Sequence, residues 1–282
     1  MEEIIKKAQI LVDAFPYIEK FKGKIVVIKY GGRALLNEQA KKNILEDIAF
    51  MSIVGIKPVI IHGGGYKITE HIAQSGGVSK FIEGRRITNK KTAQVVYRVL
   101  KEMNKELVLE LNSLHVKAEG IDSRESKTVY VRQESKKLGY VGVVETINGT
   151  EILKLIKKGI IPVIMPVGID DSEILYNINA DDMASEAAVS LKAEKLILLT
   201  DVQGILRSKE DEESLISTLN MSEVDELIKI GVISGGMIPK VKACLNALEQ
   251  GVRKTHILDG RVPHVILLEV FTTEGVGTEI VR

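Results

Sequence analysis

Lys24 to Gly32 reads KIVVIKYGG, and few folds accommodate such a stretch. Ile25 to Ile28 form a short β-branched run of the kind a buried parallel strand requires. Lys29 follows at once, then Gly31 and Gly32, and a helical pattern with Asn37 as its cap begins soon after. The same succession of strand, glycine turn and helix recurs. Val59 to Ile61 run into His62-Gly63-Gly64-Gly65 and the helical stretch YKITEHIAQSG. A helix from Glu151 to Lys158 feeds a strand from Ile160 to Ile164, and KLILLTDVQGIL from Lys195 ends a strand at Thr200-Asp201. Alternation of this kind is the pattern of an α/β fold. In an open α/β sheet, ligands bind outside the carboxyl ends of the strands.

Those strand ends carry the candidate chemistry. A cation beside two residues lacking Cβ suits a phosphate approaching the backbone, although a solvated lysine at an ordinary turn would read the same way. Three glycines opening a helix place free N–H groups beside an anion, either a phosphate or a carboxylate. His62 has no local carboxylate or nucleophile and reads as an orienting or structural residue. Residues 78–88 suggest a hairpin over the site, with Arg85 and Arg86 near its end, where an arginine can grip a carboxylate. A long helix spans Lys91 to Leu111, and short strands broken by Gly120, Gly139 and Gly142 follow. Asn177 and Asn179 alternate along a strand and share a face. Asp181 or Asp182 then caps the next helix, which leaves the two asparagines as a polar site wall. Gly235 and Gly236 precede a helix with Pro239 and Lys240 in its first turn, where the helix dipole opposes a cation unless an anion binds there. Val265 to Val270 and Thr278 to Val281 read as closing strands.

Composition excludes several classes. The chain of 282 residues is long enough for one large domain or two lobes sharing a core. Its 39 basic and 38 acidic residues leave a net charge of +1, and aromatics are 4%, so neither a basic block nor a stacking surface points to nucleic acid. Cys244 is the single cysteine, which rules out an intrachain disulfide and fits a reducing compartment. No apolar run has membrane-spanning length and the N-terminus lacks a secretory h-region, so a cytoplasmic protein without a membrane partner is expected. Residues 2–21 read as an amphipathic helix, with Ile4, Ala8, Leu11, Phe15 and Ile18 at helical spacing. Pro16 should kink or break it. Its stripe fits either its own domain or another subunit.

There is no G-x-x-x-x-G-K-[ST], no G-x-G-x-x-G after a strand, no His/Cys spacing for a metal and no G-x-S-x-G elbow. Glycine turns, two placed lysines, an asparagine pair and an aspartate remain, without an obvious nucleophile or base. Such a set suits phosphoryl transfer, where catalysis is mainly positioning and charge neutralisation.

Six stretches then occur in a family's order: Lys29-Tyr30-Gly31-Gly32, His62-Gly63-Gly64-Gly65, Gly84-Arg85-Arg86-Ile87-Thr88, Asn177-Ile178-Asn179-Ala180-Asp181, Thr200-Asp201-Val202-Gln203-Gly204 and Gly235-Gly236-Met237-Ile238-Pro239-Lys240-Val241. From about residue 23 onward the chain resembles the amino acid kinase family, and within it the acetylglutamate kinases. The resemblance implies a three-layer αβα sandwich around a mostly parallel open sheet, with an acceptor lobe over about 23–190 and an ATP lobe over about 191–282. It implies transfer of the ATP γ-phosphoryl group to N-acetyl-L-glutamate in arginine biosynthesis, with Mg2+ arriving on ATP and no dedicated protein metal site. Carried over residue by residue, Lys29 and Lys240 would contact the transferred group and Asp181 would hold them. Gly64, Gly65, Arg86, Asn177 and Asn179 would bind the acceptor, with Arg85 as the alternative to Arg86. Gly31, Gly32, Asp201, Gly235 and Gly236 would border ATP. Arginine-inhibited relatives carry an extra N-terminal helix that links dimers into a homohexamer, a trimer of dimers. The resemblance gives that role to residues 1–22 and lines an inhibitory arginine site with Tyr17, His256, Glu269 and Gly275. Sister kinases for other acceptors, and a ligand sensor on the same fold, are the alternatives.

Overall fold

The computed structural model describes residues 1–32, 37–208, 210–272 and 275–282, with the backbone alone of Glu3 and Lys7. Helix α1 (Glu2–Phe21) leads into β1 (Ile25–Tyr30), α2 (Glu38–Ile53), β2 (Lys57–His62) and α3 (Gly65–Gln74). A hairpin, β3 (Phe81–Ile82) and β4 (Arg85–Arg86), precedes the long α4 (Lys90–Ser113). Then come β5 (Lys117–Ile121), the single turn α5 (Ser123–Ser126), β6 (Val129–Gln133), β7 (Gly142–Ile147) and α6 (Gly149–Lys157). Strands β8 (Ile160–Ile164), β9 (Val167–Ile169) and β10 (Leu175–Asn177) lead to α7 (Ala180–Ser190) and β11 (Lys195–Thr200). The remainder is β12 (Thr218–Asn220), α8 (Val224–Lys229), α9 (Met237–Glu249), β13 (Lys254–Asp259), α10 (Val265–Phe271) and β14 (Thr278–Val281).

The main sheet has the order β12-β14-β13-β11-β1-β2-β8-β5. From β13 to β5 all neighbours are parallel, while β14 runs antiparallel to β13 and pairs in parallel with β12. Strand β1 therefore lies between β2 and β11, with Lys29 opposite Ile61 on one side and Leu198 on the other. Its side chains alternate between layers, as a pleat demands. Val27 enters the cluster beneath α6, α7 and α9, whereas Val26, Ile28 and Tyr30 enter the one beneath α2, α4 and α10. The result is the expected αβα sandwich around a mostly parallel sheet. A smaller sheet, β10-β9-β6-β7, and the β3–β4 hairpin stand beside it. Among the described residues no helix is long and apolar enough to cross a membrane.

Three expectations need correction. Val265 to Val270 is not a strand but lies within α10; so short an apolar run carries both readings. A tertiary contact decides it. Asp47 of α2, fully buried, accepts from the Ile266 N–H at 3.1 Å and lies 2.7 Å from His264 Nδ1, so a carboxylate caps this helix from another element. Burial pushes Asp47 up to about 6, against the pull of His264 and the backbone N–H groups. Second, α1 runs through Pro16 unbroken. Proline deprives Val12 of a donor, and Val12 faces solvent, where water can replace it. Third, the strand ends at Asn177, and the cap of α7 is Asn179 rather than either aspartate. Asn179 Oδ1 accepts from the N–H groups of Asp181 (2.8 Å) and Asp182 (3.3 Å), which frees both carboxylates for other partners.

Candidate active site

A cavity of about 410 Å³ opens at the carboxyl ends of β1 and β2, and Lys29, Gly32, Gly64, Arg86, Asn177 and Asp181 line it. Lys29 reaches it because it shares the β1 face of Val27, which points toward α7. Its side chain folds back over Gly31, where an added Cβ would stand 2.8 Å from Nζ, so any side chain there would oblige the lysine to shift. Lys29 Nζ pairs with Asp181 Oδ1 at 2.8 Å. Lys240, in the first turn of α9, donates to Asp181 Oδ2 at the same distance. One carboxylate thus holds two ammonium groups from two elements. Burial works to raise Asp181, but the two lysines overcome it and hold the carboxyl well below the usual range. Burial lowers Lys29, and Lys240 adds to that, with Asp181 opposing. The trio carries a net positive charge in a poorly solvated place, which favours an incoming anion.

The two neighbouring arginines separate cleanly, because successive residues of a strand face opposite ways. Arg86 is buried, lies over the Phe81 ring, and donates to Gly65 O at 2.8 Å, to Thr69 Oγ1 at 2.9 Å and to Ser79 Oγ. Among the described residues no carboxylate pairs with it, and burial lowers its pKa. Arg85 instead bridges Glu134 (2.7 Å) and Asp182 (2.6 Å). It fastens the hairpin to the start of α7, one residue from Asp181.

Gly65, Asn179 and Asp201 also border the cavity. Gly32, at φ 86°, occupies a left-handed conformation that glycine adopts without strain, beside Thr200 and Asp201. Gly31 lies under Lys29 rather than on the cavity wall; Gly235, Gly236 and Lys240, at the start of α9, do not line it either, and Lys240 is tied to it through Asp181. A second cavity, about 480 Å³, is lined by Tyr17, Glu269 and Gly275 among others. His256 is buried behind that wall, its Nδ1 3.0 Å from Glu269 Oε1, which Lys195 Nζ approaches equally closely. Burial lowers His256, whereas His256 and Lys195 keep the half-buried Glu269 below its ordinary value despite burial.

Sequence reading missed the partners. Glu134 and Asp182 carried no signal as anchors for Arg85, since their proximity depends on the hairpin. Asn104 was legible. It falls beside Leu100, Met103, Leu107 and Leu111 on the buried stripe of α4, where a polar residue needs a partner. Among the described residues, no group of three or more His, Cys, Asp or Glu is arranged to hold a metal ion.

Known proteins share the sequence and fold of this chain. Residues 24–259 match the sequence pattern of the amino acid kinase family. The chain is 48% identical over 281 residues to an acetylglutamate kinase of Desulforamulus reducens, covering 98% of each. It is also 48% identical over 289 residues to an acetylglutamate kinase of Moorella thermoacetica, again covering 98% of each. Among solved structures, that of smu.665 from Streptococcus mutans superposes with a TM-score of 0.79 at 30% identity, over 91% of this chain and 98% of the other. A matching family pattern, a shared fold and near-half identity from end to end converge: the chain belongs to the amino acid kinase family, and within it to the acetylglutamate kinases.

Proposed function

We propose that the chain transfers the γ-phosphoryl group of MgATP to the γ-carboxylate of N-acetyl-L-glutamate, a step of arginine biosynthesis in the cytoplasm. The observation that carries this reading is the Lys29–Asp181–Lys240 bridge, of which Lys29 and Asp181 line the cavity. A carboxylate oxygen attacks the γ-phosphorus, the bond to the bridging oxygen breaks, and ADP leaves with the electron pair. A carboxylate is already ionised at neutral pH, so the step needs no general base. Lys29 from the acceptor side and Lys240 from the ATP side spread positive charge over the group in flight, and Asp181 keeps them fixed. Arg86, a buried cation with no carboxylate partner among the described residues, would receive the α-carboxylate of the acceptor, with Asn177 and Asn179 beside it. Gly64 and Gly65 would meet the acceptor and phosphoryl oxygens. Gly31, Gly32, Asp201, Gly235 and Gly236 would border the nucleotide, and Mg2+ would enter as part of it. On this reading residues 23–190 form the acceptor lobe and 191–282 the ATP lobe.

Regulation forms part of the same proposal. Arginine would bind the second cavity and suppress turnover, and α1 would join dimers into a hexamer. Support for this comes from Tyr17 of α1 lining that cavity with Glu269, and from the exposed apolar side chains of α1. The test is ADP release from MgATP with N-acetyl-L-glutamate, with and without arginine. Turnover suppressed by arginine is expected; turnover indifferent to it would remove the regulation, and no turnover would remove the activity.

A further inference from the structure

His62 is fully buried at the end of β2, outside the cavity wall, yet it immediately precedes the glycines that form that wall. Its ring nitrogens have different partners. Nδ1 lies 3.0 Å from the carbonyl oxygen of Gly63, which can only accept, so Nδ1 carries the hydrogen. Nε2 lies 3.2 Å from Nδ2 of Asn104. That amide nitrogen also donates to Val163 O at 2.8 Å, and the flipped amide would set oxygen against oxygen. Asn104 therefore donates to Nε2, which must be bare. Burial lowers His62 to about 4, so the ring is neutral at pH 7. Space for Asn104 is reserved by Gly120, where a methyl group would overlap Oδ1.

The consequence falls on the next peptide. The carbonyl and N–H of a trans peptide point in opposite directions, and the Gly63–Gly64 bond is trans. With Gly63 O held toward the buried imidazole, the Gly64 N–H points the other way, and Gly64 itself lines the cavity. Gly63's own N–H is already committed to Tyr30 O, at 2.6 Å. Gly64 is the N-terminal cap of α3, where N–H groups lack intrahelical acceptors. We propose that His62 and Asn104 are positioning residues that lock the Gly63–Gly64 peptide, so that the Gly64 N–H donates to an oxygen of the group in transfer. The last clause rests on the phosphoryl-transfer reading above; the tautomer does not.

Two measurements on the full chain test this. Nitrogen-15 NMR of the histidine rings should show His62 protonated at Nδ1 and bare at Nε2 from pH 8 to pH 5. An Nε2–H tautomer or an imidazolium at pH 7 overturns the proposal whether or not the chain is active. In ADP release, His62→Asn, whose amide nitrogen can stand where Nδ1 stands, should retain kcat within about tenfold, while His62→Gln should lose about 100-fold with the KM for ATP unchanged. Equal losses in both folded variants mean a space-filling histidine and overturn it. Should either variant fail to fold, the NMR result on the unaltered chain decides. Absence of turnover in the unaltered chain, with the Nδ1–H tautomer observed, refutes the phosphoryl-transfer reading and leaves the locked peptide standing.

Discussion

Asp181 accepts both lysines, and its charge sets theirs. Lys29 already has a lowered pKa because it is buried and because Lys240 shares its carboxylate. An ammonium is present below its pKa and lost above it, so activity that needs Lys29 charged should fall on the alkaline side, below the pH at which a free lysine titrates. Asp181→Asn removes the anion that opposes this shift and should move the alkaline limb of the pH–rate profile to lower pH, with a smaller maximum. An unmoved limb would mean that Lys29 is not the titrating group. Lys29→Ala and Lys240→Ala should each lower kcat by about 100-fold or more while the fold survives, the scale of losing one electrostatic contact to a transition state. Circular dichroism and steady-state ADP release check the pair together. Both lysines were legible in the sequence, Lys29 from its place after a buried strand and Lys240 from its awkward position at a helix start. Their shared carboxylate was not singled out by local pattern, because Asp181 and Asp182 read alike as caps until Asn179 took that role.

Among the elements, the β3–β4 hairpin depends most on distant partners. Each strand has two residues, too few to hold a hairpin by backbone pairing alone. Arg85 supplies the missing tie by bridging Glu134 after β6 and Asp182 on α7. Its guanidinium is a quarter exposed, while burial raises the pKa of both carboxylates against its pull. Arg85→Ala should therefore lower stability by about 2 kcal/mol, the size of a charged hydrogen-bonded contact, and raise the KM for the acceptor more than it lowers kcat. In a double-mutant cycle with Asp182→Asn, the second change should cost little after the first. Additive losses in urea unfolding would show that the bridge contributes nothing. The hairpin itself could be read from Gly84 and the alternation around it. The division of labour between two adjacent arginines could not, because it depends on which neighbour each face meets.

At the scale of the molecule, α1 is the element whose apolar stripe the chain leaves uncovered. Ile4, Leu11 and Phe15 are each about two-thirds exposed, although their spacing is that of a buried stripe. If α1 joins dimers as proposed, deleting residues 1–21 should leave dimers where the full chain is a hexamer in light scattering, and weaken the proposed suppression by arginine, since Tyr17 leaves with the helix. A hexamer that persists would refute the assembly. Much of the rest was written locally. Runs such as Ile25–Ile28 and Val59–Ile61 read as strands of a parallel sheet, and the glycine turns that follow them marked where a ligand is expected, because such signals act over a few residues. Two local readings failed for different reasons. Val265–Val270 became a helix through Asp47, 219 residues from Ile266 in sequence, and Asn179 became a cap because the strand before it ended early. What sequence alone determined was the class of fold and the residue types at the strand ends. Which carboxylate pairs with which cation was decided by the tertiary structure, since ion pairs and caps form between groups that only the packed sheet brings within 3 Å or so of each other.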